Sequence, residues 1–404
     1  MKYAVILMDG MADEPIPSLS GKTPLEYAKT PTIDQLALTS EIGRVKTIPE
    51  GCAKGSDTAN LCVLGYNPQK YYFGRSPLEA LSMGIELKDT DVTFRTNVVT
   101  LSEEEDYENK RVIDHSADEI TTKEASQLIK AVEEALGDDV KKFYPGISYR
   151  HLLVWDKGSR NVTLTPPHDI LEQRIKDYKP KGDHGDEIWE LMKKSYEILK
   201  DHPINVARKE RGLRPANSIW IWGEGIKPRL PLFKEKYHVE GAVISAVDLI
   251  KGIGIGAGMT SIDVEGATGN VHTNYDGKAN AAIKWLIDED KDFVYVHLEG
   301  PDECGHRNEL ENKIKAIELI DEKIIAPIKR ALDEKGEDYK LLILPDHPTP
   351  LRLRTHTGDP VPYMLFKSNE TSINQDKRYT EDYATRNGAL IEAGYTLMDQ
   401  FLKK

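Results

Sequence analysis

Three continuous apolar runs stand out along the chain: YAVILM (3–8), VYVHL (294–298) and LLIL (341–344). None alternates with period two. Such runs read as strands covered on both faces, as in a parallel sheet. Each leads into an acidic residue: Asp9 directly, Asp302 after the intervening EGP, and Asp346 after Pro345. In open α/β sheets, ligands bind just outside the carboxyl ends of the strands. The three carboxylates are therefore expected on one edge, although the chain separates them widely. His306 follows Asp302 by four residues, a spacing that shares a helix face. His347 follows Asp346 directly, and His356 lies in the turn-rich RTHTGDPVPY. Three carboxylates and three imidazoles on one edge suggest a two-metal site.

Elsewhere the pattern switches between periods. Ala125, Leu128, Ile129, Val132 and Leu136 predict an amphipathic helix over 122–136, with Thr121 and Glu124 as a capping box and Gly137 as its stop. Ile188, Leu191, Met192, Tyr196 and Leu199 predict another over 185–199, and a short helix is expected over 32–38. Strands are expected at 92–101 and 151–155, with EEEDYENK (103–110) as a solvated hairpin tip. Alternating strands and helices argue for an α/β fold. The metal-type residues fall in an early group, up to position 57, and a late group, from 302 to 356, and the section between about 86 and 230 contributes none. The economical reading is a mostly parallel sheet flanked by helices, over 1–86 and 231–404, interrupted by a smaller α/β domain over 87–230. The Gly252–Gly258 stretch has neither the phosphate-loop nor the dinucleotide spacing, and reads as tight packing and a turn after AVISAV.

Composition narrows the function classes. A net charge of -13 over 404 residues argues against a nucleic-acid partner, while a local metal site still attracts an anionic substrate. Three cysteines, Cys52, Cys62 and Cys304, form no CxxC pair and fit a reducing cytoplasm. No run reaches 18 apolar residues, so no membrane span is expected, and MKYAVILMDG lacks the features of a signal peptide.

Ser56, in KGSDTANL (54–61), precedes a short predicted helix. A serine there is either an ordinary N-cap or a nucleophile, because a helix N-terminus stabilises an anion and a metal activates a hydroxyl. Two divalent ions would bring +4 against the -3 of Asp9, Asp302 and Asp346, leaving positive charge for a phosphate. Oxygen and nitrogen ligands without thiolate suit Mn²⁺ first, with Zn²⁺, Co²⁺ and Mg²⁺ as alternatives. Cys304 reads as filler that points away.

Asp9-Gly10, KGSDTANL, EGPDECGH, PDHPTP and the His356 loop resemble, in order, the metal-site motifs of the alkaline phosphatase superfamily. More closely, with GKTPLEYAKTPTIDQLA (21–37), YYFGRSPLEALSMGI (71–85) and RPANSIWIWGEG (214–225), the chain resembles the archaeal-type branch of the cofactor-independent phosphoglycerate mutases. The resemblance implies an isomerase that interconverts 3- and 2-phosphoglycerate through phosphoserine at Ser56, with two metal ions and no 2,3-bisphosphoglycerate. It implies one metal held by Asp9, Ser56, Asp346 and His347, and the other by Asp302, His306 and His356. The family's catalytic lysine would be Lys278, in TNYDGKANAA. The organic part of a phosphorylated hydroxy acid would be held in the inserted domain, and bidentate recognition favours arginine. Candidates are Arg95, Arg150, Arg208, Arg211 and Arg214, with His115, His151 and His168 as proton handlers; RKERGLR (208–214) reads equally well as a solvated helix end. The N-terminal motifs also resemble homoserine-kinase-like relatives, and water reaching the phosphoserine would make the same site a phosphatase.

Overall fold

The computed structural model describes residues 1–403. They form two compact units, 1–72 with 229–403, and Phe73–Pro228. The first boundary falls ahead of the expected 86/87 seam. Its reason is helix Ser76–Ser82, whose Ser76 hydroxyl donates to the Thr93 carbonyl of the second unit's long strand at 3.1 Å.

The first unit is built on an eight-stranded sheet in the order Thr260–Ile262, Gly241–Ile244, Phe293–Leu298, Lys2–Met8, Tyr339–Leu344, Val361–Lys367, Glu41–Val45 and Leu390–Ile391. Val361–Lys367 runs antiparallel to both its neighbours; every other pairing is parallel. The three apolar runs are the three adjacent central strands, fully buried as unbroken hydrophobicity requires. Their register sets Leu7 beside both His297 and Leu344. Asp9, Asp302 and Asp346 therefore leave the sheet at one edge.

Asp302 and His306 lie on helix Gly300–Arg307, which starts almost as the strand ends. The glycine-rich stretch departs from expectation. It is mostly helix Asp248–Gly256, and Gly254 allows close packing on the sheet, since a Cβ there would lie 2.6 Å from Val243.

In the second unit, strand Asp91–Leu101 pairs with Arg150–Asp156, Ser218–Ile226 and Val112–Asp114, and Lys141–Tyr144 adds to Arg150–Asp156. All these pairings are antiparallel, so this domain lacks the parallel βαβ arrangement that an α/β reading implies. Helices Thr122–Leu136 and Gly185–Leu199 have the predicted bounds, and their apolar stripes join Phe94, Leu153 and Trp155 in one core. The 103–110 segment is more than a solvated tip. Tyr107 is buried edge-on against Trp189, and the Lys110 ammonium lies 4.3 Å over the Tyr196 ring. Among the described residues no helix is long and apolar enough to cross a membrane.

Candidate metal centre

The strand ends gather two sets of ligand-type atoms. Asp9, Asp346 and His347 form one, and Asp302, His347 and His356 the other, each with donor atoms within 4.8 Å of one another. His306 joins the second through its side chain, with Nε2 3.3 Å from an Asp302 oxygen and 2.9 Å from His356 Nε2. His356 Nε2 is itself 3.3 Å from Asp302, and the His347 and His356 rings stack at 3.9 Å. Cys304 packs away from this cluster, against Val271 and Ala316.

The donors fit a cation, and the hydrogen bonds show why. His306 Nδ1 lies 3.0 Å from the Arg354 carbonyl, and His356 Nδ1 lies 3.0 Å from the Lys54 carbonyl. A carbonyl only accepts, so both Nδ1 atoms carry protons. In neutral rings the two Nε2 lone pairs then point at each other and at a carboxylate. Without a cation this arrangement takes up a proton instead: Asp302 drives the His306 imidazole up to about 9. Burial pushes Asp302 up, but its hydrogen bonds from His306 and His356 win and hold it low.

The first set is still more strained electrostatically. Asp9 Oδ1 is buried with no hydrogen-bond partner among the described residues. Burial, then Asp346, Asp302 and Glu299, raise the Asp9 carboxyl well above the usual range. Asp346 is anchored by the Gly10 and His347 backbone N–H groups and by Asn60 Nδ2 at 2.7 Å. Gly10 has φ +63°, and a Cβ there would lie 2.6 Å from an Asp302 oxygen, so this turn requires glycine.

Ser56 is the first residue of helix Ser56–Val63, and Gly55 takes the N-cap position. Its hydroxyl caps nothing. Instead Oγ lies 3.0 Å from His347 Nε2, at the first ligand set. Lys278 is buried, and its ammonium donates to the His297 carbonyl at 3.0 Å. Burial lowers it to about 8, and burial raises the neighbouring Glu299 to about 8.

The second unit brings some of the predicted substrate residues together. Arg95, Asn97 and Arg150 share one face of its sheet, since Arg150 is opposite Asn97 in the register. Arg95 stacks on Trp222 at 4.4 Å and pairs with Glu79 at 3.2 Å. His168 meets Trp222 at 5.3 Å and His115 at 6.0 Å, and Arg150 lies over Tyr149. His151 is elsewhere: it alternates to the opposite, core face. Arg208 is buried, bonding Glu124 and the Ala117 and Arg214 carbonyls. Arg211 also holds Glu124, and Arg214 pairs with Asp114 and Asp118. Their partners are supplied by the protein itself.

A family model described as 2,3-bisphosphoglycerate-independent phosphoglycerate mutase matches residues 37–205. The chain is 49% identical, over the full length of both, to a Geobacter sulfurreducens protein named probable 2,3-bisphosphoglycerate-independent phosphoglycerate mutase. It is 48% identical to a Methanosarcina barkeri protein named 2,3-bisphosphoglycerate-independent phosphoglycerate mutase, over 96% of this chain and 95% of that one. The chain belongs to the 2,3-bisphosphoglycerate-independent phosphoglycerate mutase family. The fold agrees, being similar to the solved cofactor-independent phosphoglycerate mutase from Thermoplasma acidophilum. That likeness has a TM-score of 0.68 at 25% identity, covering 100% of this chain and 99% of that one.

This member of the family also builds supports that its motifs do not announce. His297 is buried in the strand before Asp302, with Nε2 2.8 Å from Asp9 Oδ2 and Nδ1 3.1 Å from Ser245 Oγ. Burial lowers it to about 3, so it holds Asp9 as a neutral ring. Its signal was a lone imidazole inside an apolar strand. Asn60 bonds both the Ser56 carbonyl and Asp346, and the buried Tyr295 hydroxyl donates to Asn60 at 2.6 Å. The four-residue spacing of Ser56 and Asn60 on a helix could have indicated that link.

Proposed function

We propose that this chain interconverts 3-phosphoglycerate and 2-phosphoglycerate, with Ser56 as the group that carries the phosphate. The observation behind this reading is the Ser56 hydroxyl, 3.0 Å from His347 Nε2 and free of any capping role. In this reading Asp9, Ser56, Asp346 and His347 hold one divalent ion, and Asp302, His306 and His356 hold a second, with Mn²⁺ favoured over Zn²⁺, Co²⁺ and Mg²⁺. Bound cations supply charge that favours the seryl alkoxide and offsets the phosphoryl oxygens.

The chain's own residues set the rest. Asn60 holds the start of the serine's helix and the Asp346 carboxylate together. The first turn of that helix favours the dianionic phosphoserine. Ser56 Oγ gives up its proton and forms a bond to phosphorus as the bond from phosphorus to the glycerate oxygen breaks, and that glycerate oxygen takes up one proton, so the proton count is unchanged. Reversal onto the other glycerate hydroxyl restores Ser56. Lys278, held by the His297 carbonyl, stabilises the transferring oxygens. Arg95 and Arg150, with His115 and His168, give the second unit a cationic face with the chemistry that a carboxylate needs. No bisphosphate primer is needed, because one phosphoserine returns its phosphate to the same glycerate.

The test is 3-phosphoglycerate labelled in both carbon and phosphate, mixed with unlabelled substrate and no 2,3-bisphosphoglycerate. The product 2-phosphoglycerate should keep both labels together. Release of labelled inorganic phosphate, or ATP-dependent phosphorylation of homoserine without mutase activity, would overturn the reading.

A further inference from the structure

Thr349 follows His347 by two residues and is fully buried between the two ligand sets. Its hydroxyl makes a short hydrogen bond to Asp302 Oδ1 and lies 3.3 Å from His347 Nδ1. A carboxylate only accepts, so the single Thr349 proton is directed to Asp302. The Thr349 oxygen can then only accept from His347, which places a proton on His347 Nδ1 and a lone pair on Nε2. That Nε2 faces Ser56, Asp9 and Asp346 at 3.0, 3.5 and 3.4 Å.

The threonine is itself fixed at the backbone. Its N–H donates to the Ala12 carbonyl at 3.2 Å, tying it to the segment that carries Asp9. Its carbonyl accepts from the Lys313 ammonium at 2.9 Å, and Lys313 pairs with Asp13 at 2.8 Å. Both side chains of that pair are sealed from solvent. Asp13 returns to the same loop by accepting from the Leu351 N–H. Gly305 makes room: a Cβ there would lie 2.5 Å from the Thr349 carbonyl oxygen.

We propose that Thr349 is a positioning residue that locks His347 as the Nδ1–H tautomer and ties Asp302 to it, so that each ligand set presents unprotonated donors at a fixed spacing. The inference rests on the metal-site reading given above. Outer partners of this kind fix ring orientation and tautomer, and their loss typically weakens metal binding 10- to 100-fold. Valine at 349 keeps the shape but offers neither proton nor lone pair. His347 would then move its proton to Nε2, where two carboxylates accept it and where a metal would bind.

The experiment pairs Zn²⁺ titration calorimetry with nitrogen NMR of ¹⁵N-histidine-labelled protein, the His347 signal assigned with His347→Gln. Metal-free wild type should show His347 protonated at Nδ1. Thr349→Val should shift that signal to the other tautomer and weaken Zn²⁺ binding about 10- to 100-fold, whereas Thr349→Ser should stay close to wild type on both readouts. Wild-type Zn²⁺ affinity in Thr349→Val with an unmoved tautomer would overturn the proposal. So would an Nε2–H tautomer in the wild type, which needs no folded variant. Failure of the wild type to bind Zn²⁺ at all would instead remove the metal reading beneath it.

Discussion

The carboxylate and imidazole cluster of the first unit and the cationic face of the second solve opposite electrostatic problems. In the cluster, buried carboxylates crowd together, and the Asp9 carboxyl is held well above its usual range by burial first, then by Asp346, Asp302 and Glu299. Its charges are balanced only by something that arrives. On the other face, Arg95 already has Glu79 as counter-ion and Trp222 as a stacking partner. Burial lowers its guanidinium, and nearby Arg75 and Arg150 add to the effect despite Glu79. That face tolerates an empty state and gains from an anion. The lesson is that a candidate cation site shows itself as unbalanced buried charge, and the proposed anion-binding face as pre-paired charge on a sheet.

The sharpest break between the two regions is at the nucleophile. Ser56→Ala should remove phosphotransfer, by about 10⁴-fold or more, because nothing else in the cluster can take its place. Metal binding should persist through the remaining carboxylates and imidazoles. Stoichiometric metal by calorimetry, with no phosphate label retained on the protein, is the expected pair of results. Phosphate label on the alanine variant would move the role to another residue.

How far the two regions were legible in sequence follows from the same contrast. The cluster was readable because strand ends are. Unbroken runs such as YAVILM mark central strands, and the sheet places whatever follows them on one edge. Helices 122–136 and 185–199 were readable to the residue, since a strong apolar stripe marks both and Thr121 caps the first. The supports were hidden because their partners are remote in sequence: Thr349 with Asp302, His297 with Asp9, Lys313 with Asp13. The second unit's face was only half legible. Arginine type alone does not separate Arg95, which stacks beside histidines, from Arg208, which is sunk among carbonyls. The alternation of the strand decides where His151 points, and that requires knowing which face is the core. The helical Asp248–Gly256 stretch shows one glycine, Gly254, that allows close approach to Val243 in spite of glycine's poor helix propensity.

Two arginine substitutions sharpen the distinction between structural and substrate-facing cations. Arg208→Ala should destabilise the protein by roughly 3 kcal/mol, since it strips a buried charge partner from Glu124 and donors from two carbonyls. At permissive temperature KM should stay within a few-fold of wild type. A large KM increase without loss of stability, by urea unfolding and steady-state kinetics together, would place Arg208 at the substrate instead. Arg95→Ala should do the reverse. A loss of about 10- to 100-fold in kcat/KM is expected for a charge-assisted contact to substrate, carried mainly by KM if the contact holds ground and transition states alike. Unchanged kinetics would leave Arg95 as a partner for Glu79 and nothing more.

The smallest effect tests the core beneath that face. His151 is buried, and burial alone lowers it to about 3. Its Nδ1 accepts the Gly146 N–H at 2.9 Å, and its Nε2 has no partner among the described residues, nor has the Thr96 hydroxyl across the strand pair. The ring is therefore neutral in the folded chain, whereas in the unfolded chain it takes a proton near its ordinary value of about 6.5. A folded value below the unfolded one means that unfolding takes up a proton between those limits. Stability is complete above about 6.5 and falls as the pH drops toward 3, by at most about 1.4 kcal/mol per pH unit from this one group. His297 adds in the same direction in the first unit. His151→Asn keeps an acceptor for Gly146 but cannot titrate, so it should remove one proton from the acid slope. Four of the five tryptophans, Trp155, Trp189, Trp220 and Trp222, belong to the second unit. Urea unfolding followed by their fluorescence from pH 7 to 4.5 thus reads the relevant core. An acid slope identical in wild type and His151→Asn would mean that His151 is not held neutral, and that the orphaned Nε2 is satisfied in solution.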